Sequence, residues 1–213
     1  MSKWKSGIVS AALATAIVAG AVAPAYADVT FLLGNNPQPG EENILFGAKE
    51  TGTTITGATN QSNVPVIFTS TDTLLQNAQG QANITNNAGG NLTDITVTTP
   101  GYTFTDFIVD LNKAGTSRSP NPIDVSVLAS DGTFTFTVPG GPGSNFLTIL
   151  ATNNETMSSV SFTSDGGWED FKQPRISGVA AVPEPSTWGM MALGFAALAF
   201  AGYRSRKGSI SIA

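Results

Sequence analysis

The sequence contains neither cysteine nor histidine. Without cysteine there are no disulfides, so the fold has to be stabilised by the burial of apolar side chains. The two absences also remove the usual ligands of zinc and copper, and the imidazole and thiolate groups of Ser-His-Asp and Cys-His catalysis. Any enzymatic chemistry would therefore depend on carboxylates, lysine, tyrosine or oxygen-ligated calcium.

Charged residues are also scarce, at 12% of the chain, and half of the basic ones lie close to the two ends. Residues 28–182 contain 14 acidic and 5 basic side chains, a net charge of −9. Because nucleic-acid binding needs clustered Lys and Arg to neutralise phosphates, this region excludes nucleic acid as a partner. Its negative charge equally disfavours contact with anionic lipid.

The first 27 residues have the three parts of a secretory signal peptide. Two lysines form a basic start, residues 7–22 are an uncharged and mainly apolar run, and the following triplet fits the small-x-small cleavage rule through Ala25 and Ala27. We therefore expect the Sec translocon and signal peptidase as partners, and a mature chain that starts at Asp28. The alternative, a permanent membrane anchor, is disfavoured by the small-residue end and the turn-rich sequence after it.

A second uncharged segment, residues 186–203, lies near the C-terminus. As a helix it would be about 27 Å long, and we predict a transmembrane helix with Trp188 and Tyr203 at its two interfaces. Three basic residues follow and should act as a membrane stop on the cytoplasmic side: Arg204, Arg206 and Lys207. An amphipathic core helix would need a polar face, which this segment does not have.

Directly before this segment the chain reads VPEPSTW over residues 182–188. A Pro-Glu-Pro triplet, one apolar helix and an arginine cluster, in this order at the C-terminus, resemble the PEP-CTERM sorting signal. The residues of the sorting motif are Val182, Pro183, Glu184 and Pro185. The resemblance implies an exosortase as partner, cleavage near the triplet, and release or transfer to the cell surface. It also implies an association with exopolysaccharide and biofilm.

The physical character of the triplet agrees with such a role. Each proline fixes its own φ angle and lacks an N–H group, so the triplet resists both helix and sheet. An extended, accessible segment is what a protease needs to grip.

Between the two ends, residues 28–179 are predicted to form one all-β domain, a β-sandwich or jelly roll, followed by the sorting tail 180–213. Apolar residues alternate with polar ones in short runs separated by Gly, Asn, Asp and Pro. The predicted strands are 29–33, 53–56, 64–69, 82–85, 94–98, 104–110, 125–129, 134–138, 146–150, 158–162 and 176–179.

Three local features add detail to this pattern. Asp131-Gly132 predicts a hairpin. The apolar alternation changes parity around Asp106, which we interpret as a β-bulge. Weak helical periodicity remains only over residues 71–78.

The segment 165–170 is the most suggestive part of this domain, because it combines three carboxylates and a tryptophan. Asp165, Glu169 and Asp170 could hold a structural calcium ion, and an exposed Trp168 could stack on a sugar ring. The simpler interpretation is a solvated turn whose tryptophan packs over the end of the sandwich. No other cofactor is expected.

Two further patterns have plain structural explanations. Glu41 and Glu42 are adjacent on one loop, whereas glycoside hydrolysis needs two carboxylates that face each other across a cleft. The Thr-x-Thr runs suggest ice binding, but the threonines show no fixed repeat in the sequence, and threonine is a good strand former on a polar face.

The sequence thus favours an exported, non-catalytic protein, anchored in the inner membrane as a precursor and then found at the cell surface or outside the cell. Polysaccharide is the expected partner of its β-domain. The alternatives are a carbohydrate-binding module with Trp168 in its site, and a carboxylate-based glycoside hydrolase.

Overall fold

The computed structural model describes residues 28–76, 80–182 and 185–207. The predicted signal peptide, with its cleavage residues Ala25 and Ala27, lies outside these ranges. So do Pro183 and Glu184 of the sorting motif.

The described residues form fifteen β-strands and one helix. The first strands are β1 Asp28–Leu33, β2 Glu42–Phe46, β3 Thr51–Thr59, β4 Pro65–Gln76, β5 Gly80–Gln81, β6 Asn83–Asn86, β7 Leu92–Thr98 and β8 Tyr102–Thr103. They are followed by β9 Asp106–Asn112, β10 Ile123–Ala129, β11 Gly132–Val138, β12 Phe146–Thr152, β13 Met157–Trp168, β14 Asp170–Ser177, β15 Ala180–Ala181 and helix α1 Pro185–Lys207.

Thirteen of the described strands share one antiparallel sheet rather than two separate ones. Its order is β1-β12-β9-β14-β2-β3-β4-β7-β13-β10-β11, with β5 pairing to β2, and β6 bridging β14 and β4. The sheet curls around one apolar core, and its two ends come together where Phe31 of β1 stacks on Phe136 of β11 with ring centroids 5.1 Å apart. The predicted all-β class is confirmed in this barrel- or sandwich-like form.

The core follows from the alternation that the sequence displays. In β10, Ile123, Val125 and Val127 are buried, and the residues between them face outward. Phe68, Phe107, Phe162 and Phe171 form a chain of aromatic contacts inside the sheet, with centroids 5.4–6.5 Å apart. The hairpin at Asp131-Gly132 is confirmed, because Ala129 pairs with Gly132.

Strand β9 departs from simple alternation, since all seven of its residues are buried. Its second face is covered by the loop 34–41, which is fixed by hydrogen bonds to β12. Gly34 N–H donates to the carbonyl of Phe146, and Asn36 N–H donates to the Thr148 hydroxyl. Asp106 and Asp110 of this strand are both buried, and Asp110 accepts a 2.8 Å hydrogen bond from the Asn145 N–H.

Two local predictions were wrong. Residues 71–76 belong to the long strand β4 and not to a helix, because β-pairing with β3, β6 and β7 overrides a weak periodicity. The parity change near Asp106 is a break between β8 and β9, where Phe104 makes an isolated bridge to Met157, and not a bulge inside a strand.

Candidate functional site

The C-terminal tail begins where the β-domain ends. Strand β15 pairs with β8, Ala180 opposite Thr103 and Ala181 opposite Tyr102, and the Val182 N–H then donates to the Gly101 carbonyl at 2.9 Å. The sorting triplet follows at once. Val182 is half-exposed at 49%, so the chain leaves the domain at its surface.

Helix α1 confirms that the apolar segment is helical, and it starts at Pro185 and ends at Lys207, beyond both ends of the predicted 186–203. Every residue from 189 to 200 is exposed, including Met190, Leu193, Phe195, Leu198 and Phe200. The backbones of Arg204, Arg206 and Lys207 form its last turn. In the described part of the chain, no helix has both the length and the apolar character of a membrane crossing.

The predicted site at 165–170 is arranged differently from the expectation. Trp168 is fully buried at 0% exposure in the hydrophobic core, so the expectation of an exposed ring that stacks on a sugar is wrong. The reason lies in the strand pairing. Strand β13 continues to Trp168, which pairs with the buried Leu92 of β7 after an irregularity in the register.

The three acidic residues of this segment are not gathered around one point. Glu169 forms an exposed ion pair with Lys113 at 2.6 Å. Asp170 accepts hydrogen bonds from Asn112 and from Lys172, both at 2.9 Å. Within 28–76, 80–182 and 185–207, no group of three acidic side chains is placed together in a way that could hold a metal ion.

Glu41 and Glu42 point to different partners. Glu42 accepts hydrogen bonds from the backbone N–H and the hydroxyl of Ser62, at 2.7 and 2.9 Å. Glu41 forms a largely buried ion pair with Arg175 at 2.9 Å. The adjacent glutamates therefore act as two separate structural contacts.

Glu41 and Arg175 lie beside a buried carboxyl group that no local sequence pattern singles out. Asp106 is only 2% exposed, and neither of its carboxylate oxygens has a hydrogen bond of normal geometry among the described residues. Burial, and secondly the negative charge of Glu41, raise the pKa of Asp106 to about 7, against the opposing effects of Arg175 and Ser177.

A carboxyl group with a raised pKa beside a second carboxyl group is an arrangement found in many acid–base catalysts. Here, however, a small pocket of about 230 Å³ reaches the cluster, and the Asp106 oxygens are sealed from solvent. Glu41 is committed to Arg175 and to the N–H of Gln38. The geometry is that of a buried structural cluster under the loop 34–41.

The outer face of the sheet shows a feature that the one-dimensional sequence conceals. Strand register aligns one hydroxyl residue from each of six neighbouring strands in a single row across the sheet. The row is Thr135, Ser126, Ser161, Thr96, Thr69 and Thr54. Threonines that show no fixed repeat along the chain are therefore arranged in a regular row in space.

A parallel row lies two residues along the strands and adds negative charge. It contains Thr137, Asp124, Thr163 and Asp94 in register. Asp124 accepts a 2.7 Å hydrogen bond from Thr137, and Thr96 and Ser161 share one of 2.9 Å in the first row.

A groove of about 590 Å³ opens between these two rows on strands β10, β11 and β13. A second depression of about 310 Å³ continues it through Asp124 and Thr163 towards Ser164 and Asp165. We call this joint depression the hydroxyl groove. Its outward-facing side chains on strands β10, β11 and β13 are hydroxyl-bearing or acidic, and Asn121 and Pro122 line its far end.

The comparison with protein families agrees with the architecture of the tail. The model of the PEP-CTERM protein-sorting motif matches residues 181–207, from the end of β15 to the end of α1. No curated protein and no solved structure matches the chain.

A β-domain followed by this tail defines an exported protein that an exosortase targets. Residues 181–207 of the chain carry the PEP-CTERM protein-sorting motif.

Proposed function

We propose that this protein is a non-catalytic component of the cell surface or extracellular matrix. An exosortase cuts it from its tail, and it then associates with exopolysaccharide. The observation that carries the proposal is the sorting motif that starts directly after the last strand of the β-domain. The N-terminal 27 residues serve as a cleaved signal peptide that directs the precursor to the Sec translocon and signal peptidase.

The surroundings of the motif support cleavage. The last backbone hydrogen bond of the β-domain in front of the triplet is that of Val182 to Gly101. A cut near the triplet therefore falls after this hydrogen bond, and the prolines, which lack N–H groups, disfavour regular structure in the substrate segment. The exposed apolar side chains of α1 support an association of the uncut tail with the membrane, oriented by the basic residues at its end.

The rest of the domain supports a binding or structural role in preference to catalysis. Asp106 is buried and Glu41 is paired with Arg175, so these two carboxyl groups do not offer the hydrolase alternative an accessible acid and base. The carbohydrate-binding alternative loses Trp168 as its contact residue, because that ring is in the core. A polysaccharide partner would have to bind a surface that does not include Trp168.

The test compares two pairs of prolines. We expect Pro183→Ala/Pro185→Ala to leave full-length protein in the membrane fraction, because the segment can then continue helix α1 towards the domain. The matched control is Pro37→Ala/Pro39→Ala, which changes the Pro-x-Pro triplet of the loop 34–41 and should leave processing intact. The measurements are cell fractionation and the intact mass of the protein in the medium.

The wild type should appear outside the cell at a mass that lacks both the first 27 residues and the segment after the triplet. Normal processing of the Pro183→Ala/Pro185→Ala variant would refute the role of the motif. Retention of both proline variants would show a general folding defect instead. Full-length wild-type protein inside the cell, with both ends intact, would refute the proposal as a whole.

A further inference from the structure

The hydroxyl groove has the chemistry of a carbohydrate site. Its outward side chains on strands β10, β11 and β13 are Asp124, Ser126, Thr135, Thr137, Ser161 and Thr163. Hydroxyl groups both donate and accept hydrogen bonds, and a carboxylate accepts two, so such a surface can match the hydroxyl groups of a sugar. Its volume of about 590 Å³ falls within the range of about 300–1,000 Å³ found for ligand sites.

Part of this hydrogen-bonding capacity is unused within the protein. Among the residues that the structure describes, none forms a hydrogen bond with the hydroxyls of Ser126, Thr135 or Thr163, although all three line the groove. Their neighbours Asp124 and Thr137 bind each other and are thereby held in place. The groove thus combines fixed polar groups with free ones.

The charge of the groove selects among polysaccharides. Asp124 lines both parts of the depression and Asp165 lies at its end, and no lysine or arginine lines either part. An anionic chain would meet two uncompensated carboxylates, which is unfavourable. A neutral chain would instead offer hydroxyl donors to them.

The row of hydroxyl residues also indicates in which direction a bound polysaccharide chain would run. Neighbouring strands are about 4.8 Å apart, a spacing close to the length of one hexopyranose unit in an extended chain. The row from Thr135 to Thr54 crosses six strands and so covers about 24 Å. A polysaccharide that lies across the strands would present successive sugar units to successive hydroxyls.

From these observations we infer that the hydroxyl groove and its row bind a neutral polysaccharide chain, laid across strands β11, β10 and β13. This inference rests on the proposed function, since it names the surface and the class of polysaccharide for the association proposed above. It replaces the aromatic contact of Trp168 expected from the sequence with a contact made by hydroxyl groups and two carboxylates.

The experiment is affinity electrophoresis of the full-length chain in a mild detergent. The gels contain dextran or hydroxyethylcellulose as neutral polymers, or alginate as the anionic one. We expect a neutral polymer to retard the protein and alginate not to. The groove variant Ser126→Ala/Thr135→Val should weaken the retardation about ten-fold, because it removes two unpaired hydroxyls.

The matched control is Ser159→Ala/Thr133→Val. It makes the same two changes on the same sheet face, one row further along, where both residues flank Leu128 and do not line the groove. This control should change the affinity less than about two-fold. Circular dichroism spectra that match the wild type would show that both variants are folded.

Three results would overturn the inference: no retardation by either neutral polymer, equal retardation by alginate, or equal effects of the groove variant and its control. None of these results bears on the cleavage and export of the protein. A chain that is cut and exported normally but is not retarded would disprove the groove and leave the sorting function standing. A chain that remains uncut in the cell would disprove the sorting function instead.

Discussion

The guanidinium group of Arg175 donates a 2.9 Å hydrogen bond to the carboxylate of Glu41, across 134 positions of sequence. Its second nitrogen donates to Asn35 at 2.5 Å. Arg175 lies on β14, and its two partners lie in and at the end of the loop that covers β9. The pair therefore fastens this loop to the sheet and closes the compartment that contains Asp106.

Removal of one partner should reveal how strongly the loop is fastened. We expect Arg175→Gln to lower the free energy of unfolding by about 3 kcal/mol, because it leaves Glu41 buried without a counter-ion. Lys113→Gln serves as the control, since the Lys113–Glu169 pair is exposed to solvent and should contribute far less to stability. Urea unfolding measures both, and equal effects would contradict the structural role of the buried pair.

Asp106 predicts an unusual dependence of stability on pH. Its pKa is about 7 in the folded protein and 3.8 as its ordinary value. Below pH 3.8 both states carry the proton. Between pH 3.8 and 7 the unfolded state loses it first, so the free energy of unfolding falls as the pH rises, by roughly 3–4 kcal/mol over the whole window.

The variant Asp106→Asn cannot titrate and should lose this component. We expect the wild type to become less stable relative to Asp106→Asn as the pH rises from 4 to 8. Asp131→Asn removes an exposed carboxylate from the hairpin turn and should not change the slope. Parallel pH profiles of wild type and Asp106→Asn would show that the buried carboxyl group does not titrate in this range.

Trp168 should behave as a core residue and not as a ligand contact. Trp168→Phe is expected to lower stability by about 1–3 kcal/mol, because it removes part of a fully buried ring. In the affinity gel, a neutral polysaccharide should retard the Trp168→Phe variant as much as the wild type. Lost retardation in a variant that remains folded would restore the tryptophan as a sugar contact.

Gly167 provides a test of the backbone that precedes this ring. Its φ angle is +66°, and a Cβ atom there would collide with the carbonyl oxygen of Leu92. We expect Gly167→Ala to cost about 3 kcal/mol or more, from strain and overpacking together. Gly143, with φ of +76° and open space around it, is the control, and Gly143→Ala should cost only about 1 kcal/mol. Thermal unfolding distinguishes the two.

Much of the sheet could be predicted from the sequence, but strand β2 and most of β14 were not among the predicted strands. Phe134, Phe136 and Val138 alternate with threonines, and this pattern fixes which face of β11 meets the core. The Asp131-Gly132 turn likewise determines its partner strand. Both signals are local, since each depends on a few adjacent residues.

The candidate sites depend on contacts between distant residues, which local patterns do not carry. Nothing near Asp106 in the chain indicates that Glu41 and Arg175 will surround it. Trp168 resembles a loop residue because two glycines precede it, yet the pairing of β13 with β7 draws it into the core. The row of hydroxyls appears only after six strands have found their registers.

The short pairing of β15 with β8 determines which part of the protein remains folded after cleavage at the sorting triplet. The last strand of the domain ends before the sorting triplet begins. A single cut at the triplet would therefore separate the folded β-domain from the C-terminal tail. The liberated part would keep every hydrogen bond of its sheet.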